Sequence, residues 1–455
     1  MRTLSLGLAA CLMTLSLVSQ ASAQGLPGGV ISRVPLRRHG LERAWVAQAD
    51  VAAGRSELAD IQLDHGTLFV QSNVGILQAI DAETGRTLWR AQVGNRSYPS
   101  VPPGIGEEFI GVANGATLYL LNRKDGRIRW ETPLKGSPSA GVSMGPNRVY
   151  VPTIRGRVES YATKELQDGR TSIARAGQGQ QFLGVSGIPQ TAALLTPKAI
   201  AVGTATGSVY GFAPDVAGPR FTVDTYGEIV ADLAYYNGNV IAASRDNYLY
   251  AIKETAGDIN WRLSLGEPLN HQPVVVKDKI YVVADLAGMY QVAGDTGAEL
   301  WLAPGIQQFV AAGANRIYAQ DDLGRLQVLD AATGKRMDML PTTGHAIMLA
   351  NTENDRVYLA SQTGLLHCLR ETALTEPLVY RNTDGAPETE QKPLDAAAPA
   401  AAAPAVAPIA DAVEEEADAA DADAAAEEEE AAPAEDAPAD DAAAEEEGDL
   451  GGFGE

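Results

Sequence analysis

The sequence predicts an all-β protein, an eight-bladed β-propeller with a disordered acidic C-terminal tail. Three observations carry that prediction. A fifteen-residue phrase, Gly75 to Trp89, joins a short alternating run to an Asp-x-x-Thr-Gly turn and a second run ending in tryptophan. Alternation of period two is the mark of a half-buried strand, and the turn residues complete a hairpin. The phrase then recurs, with anchors at Gly75, Ala116, Gly156, Gly207, Asn247, Gly288, Gly324 and Gly364. Successive anchors lie 41, 40, 51, 40, 41, 36 and 40 residues apart, the period of a four-stranded blade.

The first 23 residues read as a signal peptide. Arg2 supplies a positive start, Leu4 to Val18 an apolar stretch, and Ala21-Ser22-Ala23 a small-residue cleavage site. Leu8-Ala9-Ala10-Cys11 also resembles a lipidation box, but too little apolar chain precedes it, so lipid anchoring at Cys11 is disfavoured. Removal of the peptide leaves Cys368 as the single cysteine and no possible internal disulfide. A core of this size does not need one. Cys368 sits in an apolar run and reads as a small buried hydrophobe.

Residues 24–40 read as an irregular N-terminal segment. Residues 41–385 form the propeller. Ala44-Trp45-Val46 looks like the last strand of a blade with no blade before it. In a closed ring it completes the blade anchored at Gly364 and removes an exposed sheet edge. The repeat anchored at Gly156 departs from the pattern, losing its Asp-x-x-Thr-Gly turn to a polar stretch from Thr163 to Gln181. Extra residues in one repeat place a loop on one face of the ring. Phe182-Leu183 then read as the opening of blade four.

Residues 386–455 hold 23 acidic residues and one lysine, Lys392, among alanine and proline. Such a segment cannot bury enough apolar surface to offset chain entropy. Its Ala396 to Ala410 stretch is interrupted by three prolines and is not a membrane span. Nearly all of the formal charge of −23 belongs to this tail. The propeller itself is close to neutral and its basic residues are dispersed, which argues against nucleic-acid binding.

No catalytic constellation stands out. The five histidines are scattered, without metal-ligand spacing, and there is no nucleophile elbow, phosphate loop or His-Glu-x-x-His. Asp81, Asp295 and Asp330 recur at the turn position, and Trp89, Trp130, Trp261 and Trp301 recur at the strand end. A catalytic residue is needed once, so both sets read as structural, the tryptophans as plugs between blades.

The Ala-x-Asp-x-x-Thr-Gly-x-x-x-Trp phrase, complete at Ala79 to Trp89, resembles the repeat of the PQQ-like β-propeller superfamily. That superfamily includes pyrroloquinoline quinone dehydrogenases and the BamB family of outer-membrane assembly proteins. The dehydrogenases resembled here hold the quinone near adjacent cysteines, which a chain with one mature cysteine does not have. The resemblance to BamB implies a cofactor-free, non-enzymatic scaffold, exported to the periplasm or cell envelope, that binds another envelope protein. A divergent quinoprotein, or another propeller binding a small ligand in its channel, is the alternative. In the BamB family a Leu-Arg-Gly-x-Ser-x-Pro loop contacts the assembly machinery. Its counterpart here runs from Phe182 to Pro189, with Gly184 and Ser186 matching and Leu183 in place of the arginine. An acidic pair in the next blade is matched by Glu228, with Val230 at the second place. The resemblance therefore implies a partner contact at Phe182, Leu183, Gly184 and Glu228.

Overall fold

A computed structural model describes residues 29–380, apart from 52–54, 168–172, 215, 217, 343 and 346. The expected signal peptide and acidic tail lie outside the described residues.

The described chain forms eight four-stranded antiparallel sheets. Blades one to seven span 58–92, 104–133, 143–184, 194–224, 234–264, 274–304 and 306–340. Blade eight combines strands at 347–348, 357–360 and 365–371 with the N-terminal strand Leu41–Gln48. The orphan Trp45 strand thus closes the ring. It pairs antiparallel with Leu365–Glu371, from Leu41 opposite Glu371 to Gln48 opposite Leu365.

Within each blade the second and third strands are mostly buried. Lys279–Ala284 is buried at every position after the first, as a strand covered on both faces by neighbouring blades must be. The fourth strand alternates, as in Thr87–Gln92, because one of its faces meets solvent. Antiparallel alternation puts the turns between second and third strands, and the blade-to-blade connections, on one face of the ring. The turns joining first to second and third to fourth strands lie on the opposite face.

The recurring tryptophans join blade to blade. Trp45, Trp89, Trp130, Trp261 and Trp301 each donate their indole N–H to a carbonyl in the next blade's outer turn, at 2.8–3.4 Å. Their rings lie on the turn glycines Gly85, Gly126, Gly177, Gly297 and Gly334, all at positive φ. A Cβ at Gly297 would stand 2.5 Å from the Trp261 ring. The glycine is therefore needed twice, for its backbone conformation and for the ring above it. Phe221 on Gly257 makes the same joint without the hydrogen bond.

Two local expectations are corrected. The N-terminal segment contains a helix, α1 (Arg33–Arg38). Six residues including Pro35 carry little local helical signal, and Leu36, buried against Leu41, Val310 and Tyr318, holds the helix in place. Phe182-Leu183 do not open blade four. They lie in Gly179–Gly184, the fourth strand of blade three. The polar stretch contains a small hairpin pairing Leu166–Gln167 with Ile173–Ala174, after which the chain returns to finish the blade. Cys368 is buried beside Trp45, Ile61 and Leu68, and burial pushes its thiol well above the ordinary value.

Candidate functional site

Blade three departs from the tryptophan rule, as does blade seven, where Asp338 stands at the equivalent place opposite Val328. Register places Gln181 opposite Ser160, where blade two has Trp130 opposite Leu120. The tryptophan joint is replaced by a polar one. Arg148 Nη1 donates to Gln181 Oε1 at 3.1 Å and to the carbonyl of Pro214 in blade four at 3.0 Å.

Phe182 follows on the outer strand, opposite Glu159. Its half-buried ring carries Lys135 Nζ at 4.2 Å and Arg157 Cζ at 5.3 Å from the centroid. Glu159 is fully buried, accepting from the Tyr161 hydroxyl at 2.6 Å and from Lys135 N at 3.1 Å. Arg157 Nε lies 3.7 Å from its other oxygen. Burial, then the adjacent Glu159, raises the Tyr161 hydroxyl above its usual value. This cluster ties two cations to one aromatic ring and leaves part of that ring to solvent.

Leu183 points the other way. It is 0% exposed and packs with Tyr150, Val158, Ala193, Ile200, Val202, Tyr210 and Phe212. Its expected place in a contact surface is corrected, because alternation along the strand turns it into the core between blades three and four. Gly184 is exposed, with no atom within 4 Å of a Cβ built on it. Glu228 lies on the connection between blades four and five, paired with Arg245 at 2.5 Å. Gly184 and Glu228 therefore share one face of the ring, whereas Phe182 sits on the outer edge of its blade.

That shared face is linked from blade to blade. Thr206 Oγ1 donates to the Ser186 carbonyl at 3.2 Å, and Tyr226 N to Asp246 Oδ2 at 3.0 Å. Arg245 Nε reaches Asn270 Oδ1 at 2.7 Å, and Asn270 reaches Asp285 at 2.5 Å. Large apolar side chains stand out from this polar frame. Tyr226 is 92% exposed and Leu286 83%, with Ile154 and Ile188 also exposed. Sequence reasoning did not single these out. Their signal was a large hydrophobe at the tip of a turn, as in Thr225-Tyr226-Gly227 and Asp285-Leu286-Ala287.

The centre of the ring is a channel of about 640 Å³ lined by the first strands of the blades. Asp60, in the first strand of blade one, and Asp232, on the connection into blade five, both line it. Desolvation within the channel holds both above the usual carboxylate range, and the charge of Asp232 adds to the shift of Asp60. Gln62 donates to Asp60 at 2.8 Å and Ala192 N to Asp232 at 2.7 Å. Among the described residues, no three His, Cys, Asp or Glu side chains gather as a metal site.

The family model described as outer membrane protein assembly factor BamB matches residues 28–181, 73–217 and 200–348. The chain belongs to the BamB family. A BamB from Burkholderia pseudomallei is 24% identical over 140 residues, 30% of this chain and 35% of that protein. A tetrathionate hydrolase from Acidithiobacillus ferrooxidans is 28% identical over 123 residues, 27% of this chain and 24% of that enzyme. The matched part thus spans little more than a third of one curated relative and about a quarter of the other. The crystal structure of BamB from Moraxella catarrhalis superposes with a TM-score of 0.57 at 17% identity, covering 72% of this chain and 97% of that one. The computationally designed Ika8 protein gives the same TM-score at 14% identity, over 71% and 98%. At these identities the likeness establishes the propeller and nothing finer. Among the described residues no helix is long and apolar enough to cross a membrane.

Proposed function

We propose that this BamB-family chain is an exported, non-enzymatic scaffold that docks on another cell-envelope protein, a component of the outer-membrane assembly machinery. The observation that carries the reading is the face of blades three to six, where Ile154, Ile188, Tyr226 and Leu286 project from a hydrogen-bonded polar frame. Apolar anchors held by rigid turns and ringed by polar groups are what a protein–protein contact uses. Gly184 and Glu228 belong to this face, and Phe182 to its margin. Leu183 supports it from beneath.

The test is a binding titration against the purified assembly machinery of the same organism. Tyr226→Ser should cost about 2 kcal/mol, roughly thirtyfold in Kd, as a central aromatic anchor does. Its melting temperature should stay within about 1 °C of the parent, since the side chain is exposed. Undiminished binding by a Tyr226→Ser, Ile188→Asn double variant would remove the proposed surface.

A second reading has its own support. The short match to a tetrathionate hydrolase, together with a polar channel, is what a small-ligand propeller would show. Calorimetry with pyrroloquinoline quinone and Ca²⁺, and an assay for tetrathionate consumption, address it directly. Heat or turnover that Asp60→Asn abolishes would establish it over the scaffold reading.

A further inference from the structure

The joint between blades eight and one gathers arginines that have no carboxylate of their own. Closure of the ring sets α1 and the strand Leu41–Gln48 beside Leu365–Glu371. The result is a concavity of about 320 Å³ lined by Arg33, Arg37, Arg43 and Arg370, with Glu42 and Glu83. Both carboxylates are already engaged. Glu42 Oε1 lies 2.6 Å from Arg370 Nη2, and Glu83 Oε2 lies 3.4 Å from Nη2 of the buried Arg356. Arg43 Nη1 donates to the Ile31 carbonyl at 3.1 Å. Among the described residues no carboxylate pairs with Arg33, Arg37 or Arg43.

We infer that this concavity is an anion site, built for a phosphate group. Uncompensated guanidinium groups in a hollow focus positive potential, and their forked donors match the oxygens of a phosphate. The volume exceeds what one carboxylate fills. Val30 and Val34 stand exposed on the same N-terminal segment, an apolar flank beside the charged hollow. The phosphate is either free or carried by a lipid headgroup, and the chemistry at the arginines is the same. The site lies on the face opposite the proposed docking surface, so the two readings stand or fall separately.

The test uses the full chain, whose net charge of −23 opposes any general attraction to anions. Inorganic phosphate is titrated by calorimetry at low salt. In parallel, the protein is floated with vesicles of phosphatidylcholine, with and without phosphatidylglycerol. Saturable phosphate binding without flotation identifies a free anion, and flotation only with phosphatidylglycerol identifies a headgroup. In either case Arg33→Gln and Arg37→Gln should each weaken binding about tenfold, as loss of a charge-assisted hydrogen bond does. Arg129→Gln, a solvent-exposed arginine on blade two, and Tyr226→Ser should leave it unchanged. Absence of both signals, or binding that survives the Arg33→Gln, Arg37→Gln double variant, overturns the inference.

Discussion

The joint between Trp261 and Gly297 is a place where a single methyl group should be costly, and where the reason can be isolated. Gly297→Ala places a Cβ at φ 69°, which costs an L-residue about 1–2 kcal/mol. The same Cβ would stand 2.5 Å from Trp261 Cδ2 and Cε3, so the indole has to move. Moving it weakens the N–H donation to the Gly294 carbonyl, 2.9 Å long, worth about 1 kcal/mol, and lifts part of the ring from its packing. The total is about 3 kcal/mol. In a Trp261→Ala background the ring is gone, and Gly297→Ala should cost only the backbone share of about 1–2 kcal/mol. A double-mutant cycle by urea denaturation reads the difference as a coupling of more than 1 kcal/mol. Additive costs, with coupling below about 0.3 kcal/mol, would refute the claim that the glycine is there for the tryptophan.

Other perturbations test other parts of the molecule. Burial first, then His345 and Arg43, holds the His367 imidazole down at about 3, so its stabilising share is intact above the unfolded value of 6.5 and is lost as pH falls from there toward 3. The loss should be about 1.4 kcal/mol per pH unit over that window, and melting curves of the parent and His367→Gln should converge on acidification; parallel curves would contradict it. Leu183→Ser should lower stability by about 2–5 kcal/mol, read as a collapse of the melting temperature, because the side chain is core. Deletion of residues 386–455 should leave the propeller's melting temperature unchanged, and a drop of several degrees would show that the segment packs.

Much of the fold was legible because repetition multiplies weak signals. One Asp-x-x-Thr-Gly turn is a hairpin, and eight anchors at a period of about 40 are a ring. Trp45 was readable as a closing strand because it carried the aromatic of a fourth strand without the three before it. Helix α1 was not readable, since its cause is tertiary, the burial of Leu36. The end of blade three was misplaced by one strand, because the insertion separated its fourth strand from its turn and Gln181 replaced the tryptophan that would have marked it. Of the expected contact residues, Leu183 could be assigned to the core only once its strand was in register. Tyr226 and Leu286 were visible in the sequence as turn-tip hydrophobes, but only the topology shows that those turns share a face. The arginine hollow was invisible, because Arg33 and Arg370 meet only when the ring closes.

The central claim is that the face of blades three to six meets another envelope protein. Site-specific photo-crosslinking in the native host tests it most directly. A crosslinker is placed in turn at positions 188, 226 and 286, and for comparison at 128 and 259, which are exposed on outer strands of other blade edges. The account predicts one shared crosslinked band from 188, 226 and 286, containing a component of the outer-membrane assembly machinery, and no such band from 128 or 259. The same band from 128 and 259, or none from the three face positions, would contradict it.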